Sequence, residues 1–366
     1  MRRPHLWPIS PFVVLAALSG STQAGVQGQD AKLSDAEARR RNVREIADSL
    51  KRDVKLDAVP QDRKQARTRW GDPDIEGVYT NIDEWGIPMQ RPAEFAGRRL
   101  DSFTPQEMEK LRQSRRDAFL ERLANEAPPE PGTLGWYENL NVNNSRAWLI
   151  VDPADGLVPP LTPAARLRAD DAAAAAKARA GRMASSADLP LYPRCITKGF
   201  PGSMIAEAYG SVYHIHQAPG YVAVRYEHIH ETRVIPLDRR PRIGRGIQSY
   251  VGDARGHWDR DTLVIETTNF KQGMTYAPGT LQAALRGVDS AALRLVERFT
   301  PLSATSMEWS VTVDEPSTWV RPWTFANNLT RAKPGQQLYE YACHEGNYGM
   351  RNMLGTARAL EAQQGR

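Results

Sequence analysis

From Tyr209 to about residue 328 the chain repeats one pattern, a strand-length run of alternating or β-branched residues followed by a turn signal. The runs fall at 211–217, 221–236, 246–251, 257–268, 291–300, 304–313 and 319–328. Pro219-Gly220, Asp238 to Pro241, Asp259 to Asp261 and Pro301 to Ser303 separate them. Side chains alternate across a strand with a period of two, so each run buries one face only if its neighbours turn the same face inward. Consecutive strands at this spacing predict an antiparallel meander that closes into a barrel or a strongly curved sheet. Earlier runs at 75–81 and 146–151 are expected to join it. The expected fold is therefore mainly β, a single barrel-like domain over residues 70–366.

Helices decorate this sheet. Thr104-Pro105-Gln106-Glu107 combines an N-cap threonine, a first-turn proline and a capping glutamate, and predicts a helix over 104–125. Thr162-Pro163 opens a second over 162–180, and a C-terminal helix is expected over 346–363. Ser34 and Glu37 form another capping box, within a charged helical segment at 25–69. Residues 1–24 carry a basic start (Arg2, Arg3), an apolar run from Phe12 to Leu18 and a small-residue exit ending at Ala24. That is the pattern of a secretory signal peptide, too short to span a bilayer, and it predicts a periplasmic or secreted protein.

The net charge of +5 includes Arg2 and Arg3, and the other basic residues are scattered rather than striped. Nucleic acid is not an expected partner, and neither is a membrane span. Cys195 and Cys343 make an even count in an oxidising compartment, so a disulfide between them is expected, with two separate buried thiols as the alternative.

The stretch Tyr213 to Arg233 holds four of the seven histidines, as His214-x-His216 and His228-x-His230, around the turn at Pro219-Gly220. Residues two apart on a strand share a face, so even-numbered positions of both arms are expected on one wall. Such a wall serves proton transfer, because imidazole titrates near neutrality, or holds a divalent transition metal through His214, His216, His228 and His230. Glu227 and Arg233 have the opposite parity to His228 and His230. They read either as a buried carboxylate–guanidinium fork or as an anion clamp. Asp253, Arg255 and His257 lie in an expected turn, VGDARGHW, that would bring Arg255 over the barrel mouth. His344 and Glu345 follow Cys343 at a strand end, where barrels meet ligands. Tyr226, Trp319 and Tyr348 are aromatic candidates for the wall of a ligand cavity. Serine-hydrolase elbows, phosphate loops, zincin motifs and dinucleotide fingerprints are all missing from the sequence.

Several phrases occur together: Arg194-Cys195-Ile196-Thr197 with Pro201-Gly202; Glu227-His228-Ile229-His230 leading to Arg233 to Asp238; Gly252 to Gly256; Asp261 to Phe270; Thr318 to Trp323; and Tyr339 to Gly349. Together they resemble a large, mostly uncharacterised family of secreted bacterial proteins, strongly over about 190–355 and weakly over 70–92 and 143–162. The resemblance implies a calycin- or lipocalin-like sheet and brings no particular activity with it. His230 matches the family pattern, whereas His214 and His216 stand where it implies more variable polar residues.

The expected function is acid–base chemistry without an organic cofactor on a small aromatic or ring-containing molecule in a barrel cavity. A lyase, hydratase or isomerase reaction is preferred, because no activated nucleophile is visible. His228 or His230 would be the base, Arg233 or Arg255 would stabilise negative charge, and His344 or Glu345 would be the second acid–base group. Two alternatives stay open: a non-catalytic lipocalin-like binding protein and a histidine-ligated metalloenzyme. Oligomeric state is open too, a homodimer included.

Overall fold

A computed structural model describes residues 65–125, 142–179, 183, 185–207, 209–238, 240–271, 279–333, 337–363 and 365. The expected signal peptide and nearly all of the charged helical segment lie outside the described residues.

Ten strands build one antiparallel sheet: β1 (Gly77–Thr80), β2 (Ile150–Asp152), β3 (Val212–Ala218), β4 (Tyr221–Tyr226), β5 (Thr232–Pro236), β6 (Asp253–Asp259), β7 (Thr262–Thr268), β8 (Arg294–Pro301), β9 (Ser306–Asp314) and β10 (Trp323–Arg331). Their order is β5-β4-β3-β1-β10-β9-β8-β7-β6, with β2 pairing β10 off this path. The sheet curls until β6 meets β5. There Gly256 leaves no room for a Cβ, because the Leu237 and Ile235 side chains press against it. The expected barrel-like, mainly β fold is what forms.

Several segments differ from the strand pattern read in the sequence, among them 257–268, which spans two strands, β6 and β7, with a turn between them. Residues 221–236 are two strands, because the chain turns at Glu227 to Glu231 and closes that turn with Tyr226 N–H donating to the Glu231 carbonyl. Residues 246–251 form no strand and contribute one isolated bridge, Ser249 to Phe270. The glycine-flanked run at Asp253 is not a turn but the first part of β6, paired through Asp253↔Thr268.

Alternation then fills the barrel. Tyr213, Ile215, Val222, Val224, Tyr226, Ile265, Phe299, Trp309, Val311, Trp323 and Phe325 are all at most 1% exposed. Trp309 and Phe325 pack edge to face at 5.6 Å, as do Tyr213 and Tyr226 at 6.1 Å. Side chains of this size bury about 150–250 Å² each and dominate the driving force for closure.

The helices are α1 (Pro105–Asn125), α2 (Pro163–Arg179), the short α3 (Gly279–Ala284) and α4 (Tyr348–Gln363). The capping box at α1 is formed: Thr104 N donates to Glu107 Oε2 at 2.8 Å and Glu107 N to Thr104 Oγ1 at 3.2 Å. Among the described residues no helix is long and apolar enough to cross a membrane.

Candidate functional site

The β3–β4 turn decides where the histidines go. Its two-residue loop pairs Ala218 with Tyr221, His216 with Ala223 and His214 with Arg225. An even position on β3 therefore faces an odd position on β4. Tyr213 and Ile215 point inward with Tyr226 and Val224, and His214 and His216 point outward. Their rings stack at 3.6 Å on the outer face, and partial burial lowers the His214 pKa, with His216 adding to the effect. The expected single wall of four imidazoles is not formed. Among the described residues no group of three or more His, Cys, Asp or Glu is placed to hold a metal ion.

His228 and His230 sit on the Glu227–Glu231 turn rather than on a strand. Ile229 (φ 58°) and His230 (φ 45°) take left-handed conformations, which break the period-two pattern and send the two rings in different directions. His230 is exposed, and its Nδ1 lies 3.2 Å from the Tyr341 carbonyl. His228 is 1% exposed and lies within a cage of tyrosines, its ring centroid 5.6 Å from that of Tyr192 and 5.3 Å from those of Tyr209 and Tyr341. Gly210 (φ 70°) is needed here, because a Cβ at this position would fall on the imidazole.

The hydrogen bonds around His228 fix its tautomer. Nε2 lies 3.1 Å from the Tyr209 carbonyl oxygen and 3.3 Å from Glu207 Oε2, both acceptors, so Nε2 carries the proton. Nδ1 then accepts from the Tyr192 hydroxyl at 3.1 Å. That uses the single proton of Tyr192, so the 2.8 Å contact between the Tyr192 and Tyr341 hydroxyls is donated by Tyr341. Behind Glu207, the Lys198 ammonium donates to Oε2 at 2.7 Å, although Lys198 is 1% exposed. One polar chain thus runs from the half-buried Tyr341 phenol through Tyr192 and His228 to a carboxylate–ammonium pair.

Burial and partners set the protonation along it. Burial lowers the His228 pKa more than Glu207 raises it, so the imidazole is neutral at pH 7. Burial alone would raise the Glu207 carboxyl, yet the bonds from His228 and Lys198 outweigh it and the net shift is downward. Burial also pushes the Lys198 ammonium below its usual value while Glu207 opposes this. The Tyr192 phenol is driven well above 10 by burial and by its tyrosine neighbours, so it stays a neutral donor. Cys195 and Cys343 form the expected disulfide, which ties the chain just beyond Tyr192 to the chain just beyond Tyr341.

The remaining candidates are dispersed. Arg233 lies inside the barrel, where Nη2 meets Glu297 Oε2 at 2.7 Å, Nη1 meets Oε1 at 3.2 Å, and the guanidinium stacks 3.7 Å over Phe200. It also donates to the Tyr226 hydroxyl and to Thr267 Oγ1, while Trp309 Nε1 donates to Glu297. The fork is real, but its carboxylate is Glu297 and not Glu227. Arg255 is pinned by Asp253 and the Pro241 carbonyl, on the face of β6 opposite the buried Ala254 and Gly256. His344, Glu345 and Tyr348 are exposed. Trp319 is buried edge to face against Trp323 at 5.7 Å.

Sequence reasoning missed Lys198, Glu207, Tyr192, Tyr209, Tyr341 and Glu297. Lys198 carried a usable signal, because it stands in a short apolar run that leads into Phe200, Met204 and Ile205. Tyr192 and Tyr341, each within three residues of a cysteine, could have been linked once the disulfide was expected. Compared with known proteins, the chain matches no family model, no curated protein and no solved structure.

Proposed function

We propose that the protein is an exported enzyme performing proton-transfer chemistry, of lyase or isomerase type, on a small ring-containing molecule at the Tyr341 end of the barrel. The polarity of the hydrogen-bonded chain carries this reading. Tyr341 donates inward to Tyr192 and shares its hydroxyl with Tyr209, and as the half-buried outer member of the chain it is placed to accept a proton from a substrate O–H or C–H. In that step the substrate proton moves to Tyr341, the Tyr341 proton to Tyr192, and the Tyr192 proton to His228 Nδ1. The resulting imidazolium is held by Glu207, and reprotonation runs the same path backwards. Tyr341 is the catalytic residue in this scheme. His228 and Glu207 act through it, and His230 positions it through its backbone carbonyl. The disulfide and the lack of a membrane-crossing helix among the described residues fit export.

The test is turnover of pooled aromatic and ring-containing metabolites by the purified mature protein. Tyr341→Phe removes the accepting phenol and is expected to lower kcat/KM about 10²- to 10⁴-fold, with the melting temperature nearly unchanged. His228→Gln should give a similar loss and remove the acid limb of the pH–rate profile. Wild-type turnover in both variants would overturn the reading.

A further inference from the structure

The opposite end of the barrel holds a concave site that the proton relay does not use. The chain runs from Asp74 at this end through β1 to Asn81 at the relay end, at most about 25 Å for seven residues of extended chain. Here the β6–β7 turn, the β8–β9 turn and the last residue of β10 enclose a cleft of about 350 Å³. That volume lies within the range of small-molecule sites, about 300–1,000 Å³. Ile75, Tyr79 and Met307 give it a buried apolar floor, and Ser303, Ser306 and Arg331 line its walls.

Arg331 is the distinctive member. Nη1 donates to the Glu76 carbonyl at 2.9 Å, Nη2 donates to the Tyr79 hydroxyl at 3.0 Å, and the guanidinium lies 5.0 Å over the Tyr79 ring. Gly77 (φ 147°) makes this fit possible, because a Cβ there would collide with the guanidinium. The group is therefore fixed in place. Most other arginines on the strands are paired: Arg233 with Glu297, Arg294 with Glu266, Arg298 with Asp259, and Arg255 with Asp253. Among the described residues no carboxylate forms an ion pair with Arg331. Asp261, which lines the same cleft, is already neutralised by Arg67 at 2.5 Å.

A guanidinium has five N–H donors in a planar fork that matches a carboxylate. Two of the five are used by Glu76 and Tyr79, so the fork keeps donors for a ligand. Tyr79 accepts from Arg331, and burial pushes its phenol up to about 12, so it remains neutral with a proton of its own to give. Asp74 supplies one carboxylate on the rim, suited to a hydroxyl on the ligand.

We infer that this cleft binds a small organic acid, its carboxylate on the Arg331 fork, its apolar or aromatic body over Ile75 and Met307, and a hydroxyl toward Asp74. The site is separate from the relay and does not depend on it.

The probe is 4-hydroxybenzoate, with 4-hydroxybenzamide as the neutral isostere, titrated calorimetrically into the full chain. Saturable binding of the acid in the micromolar to millimolar range is expected, with the amide at least tenfold weaker. Arg331→Gln should weaken the acid at least tenfold and leave the amide nearly unchanged. Gly77→Ala, which displaces the guanidinium without removing it, should reproduce the loss. Arg298→Gln, an exposed arginine elsewhere on the sheet, is the control and should change nothing. No saturable binding of the acid, equal binding of acid and amide, or unchanged affinity in Arg331→Gln would each overturn the proposal. So would ligand-induced shifts in the His228 and Tyr341 resonances with none near Arg331, which would assign the binding to the relay end instead.

Discussion

The two ends of the barrel handle buried polarity in opposite ways. At the relay end, Lys198, Glu207, His228, Tyr192 and Tyr341 satisfy one another along a single chain, and a disulfide holds its outer members together. At the cleft end, Arg331 is held by neutral groups and meets no carboxylate partner among the described residues. The first arrangement suits moving a proton, because each link from Tyr341 to Glu207 sets a donor against an acceptor. The second suits capturing an anion, because the charge is fixed but not neutralised. A barrel packed along its axis with aromatic side chains leaves its two ends as the places where chemistry and recognition can differ.

The largest expected effect comes from the element between the ends. Arg233 and Glu297 are buried, 3% and 0% exposed, and their fork joins β5 to β8 across the interior. Glu297→Ala would leave an uncompensated buried guanidinium, at a cost of about 3–5 kcal/mol. Chemical denaturation should show that loss. Hydrogen exchange should rise at both ends together if the barrel is one cooperative unit, and at one end only if it is not. Replacing the pair, as Arg233→Met with Glu297→Leu, should recover most of the loss, because well-packed apolar residues of similar volume often substitute for a buried ion pair.

The sheet was legible in the sequence because each strand carries its own alternation and each turn its own signal. Trp309, Val311 and Val313 could be assigned to one inward face from residue order alone, and the Thr104 box marked the start of α1 within one residue. The disulfide followed from an even cysteine count. The candidate site was only partly legible, for two physical reasons. A two-residue turn at Pro219-Gly220 sets a register that reverses parity between β3 and β4, and one residue of register exchanges inside for outside. The left-handed pair Ile229-His230 then turned an apparent strand into a loop. Partners far apart in the chain, such as Glu297 for Arg233 or Tyr341 for Tyr192, leave no local trace at all.

Next in size is the disulfide, whose loss should separate the two ends. It joins positions 148 residues apart, and closing so long a loop restricts the unfolded chain by about 5 kcal/mol in the chain-entropy model, with measured losses nearer 2–5 kcal/mol. Cys195→Ser with Cys343→Ser should lower the melting temperature and, beyond that global effect, loosen the contact between Tyr192 and Tyr341. Hydrogen exchange should rise selectively at 339–347 relative to 301–307. Equal rises in both segments would mean that the bridge stabilises the barrel without organising the relay.

Gly210→Ala is a smaller, local version of the same separation. The new methyl would fall on the His228 ring and add strain at φ 70°, at a cost of about 1–3 kcal/mol. If the clash is the cause, His228→Ala should relieve part of it. The double variant would then be more stable than the sum of the two single losses predicts, as expected for residues in contact. Strict additivity in denaturant melts would show that strain at residue 210 acts alone.

The smallest effect is a pH dependence confined to the relay end. Burial depresses the folded-state pKa of His228 below its unfolded value near 6.5, so the unfolded chain binds the extra proton first. The contribution of the neutral imidazole is fully present above pH about 6.5 and is lost as pH falls through the depressed folded value. Each unit of depression is worth about 1.4 kcal/mol. Glu227 and Glu231, on the same turn, are raised by burial and work in the opposite direction, losing stability as pH rises above about 4.5. The wild-type curve therefore mixes the two effects, and the informative quantity is the difference between wild type and His228→Gln. That difference should shrink from pH 7.5 to pH 5.5 in thermal melts. A difference independent of pH would mean that the folded-state pKa of His228 is not displaced from its unfolded value, and a difference that grows toward pH 5.5 would mean that it is raised, which would reverse the direction assigned to the relay.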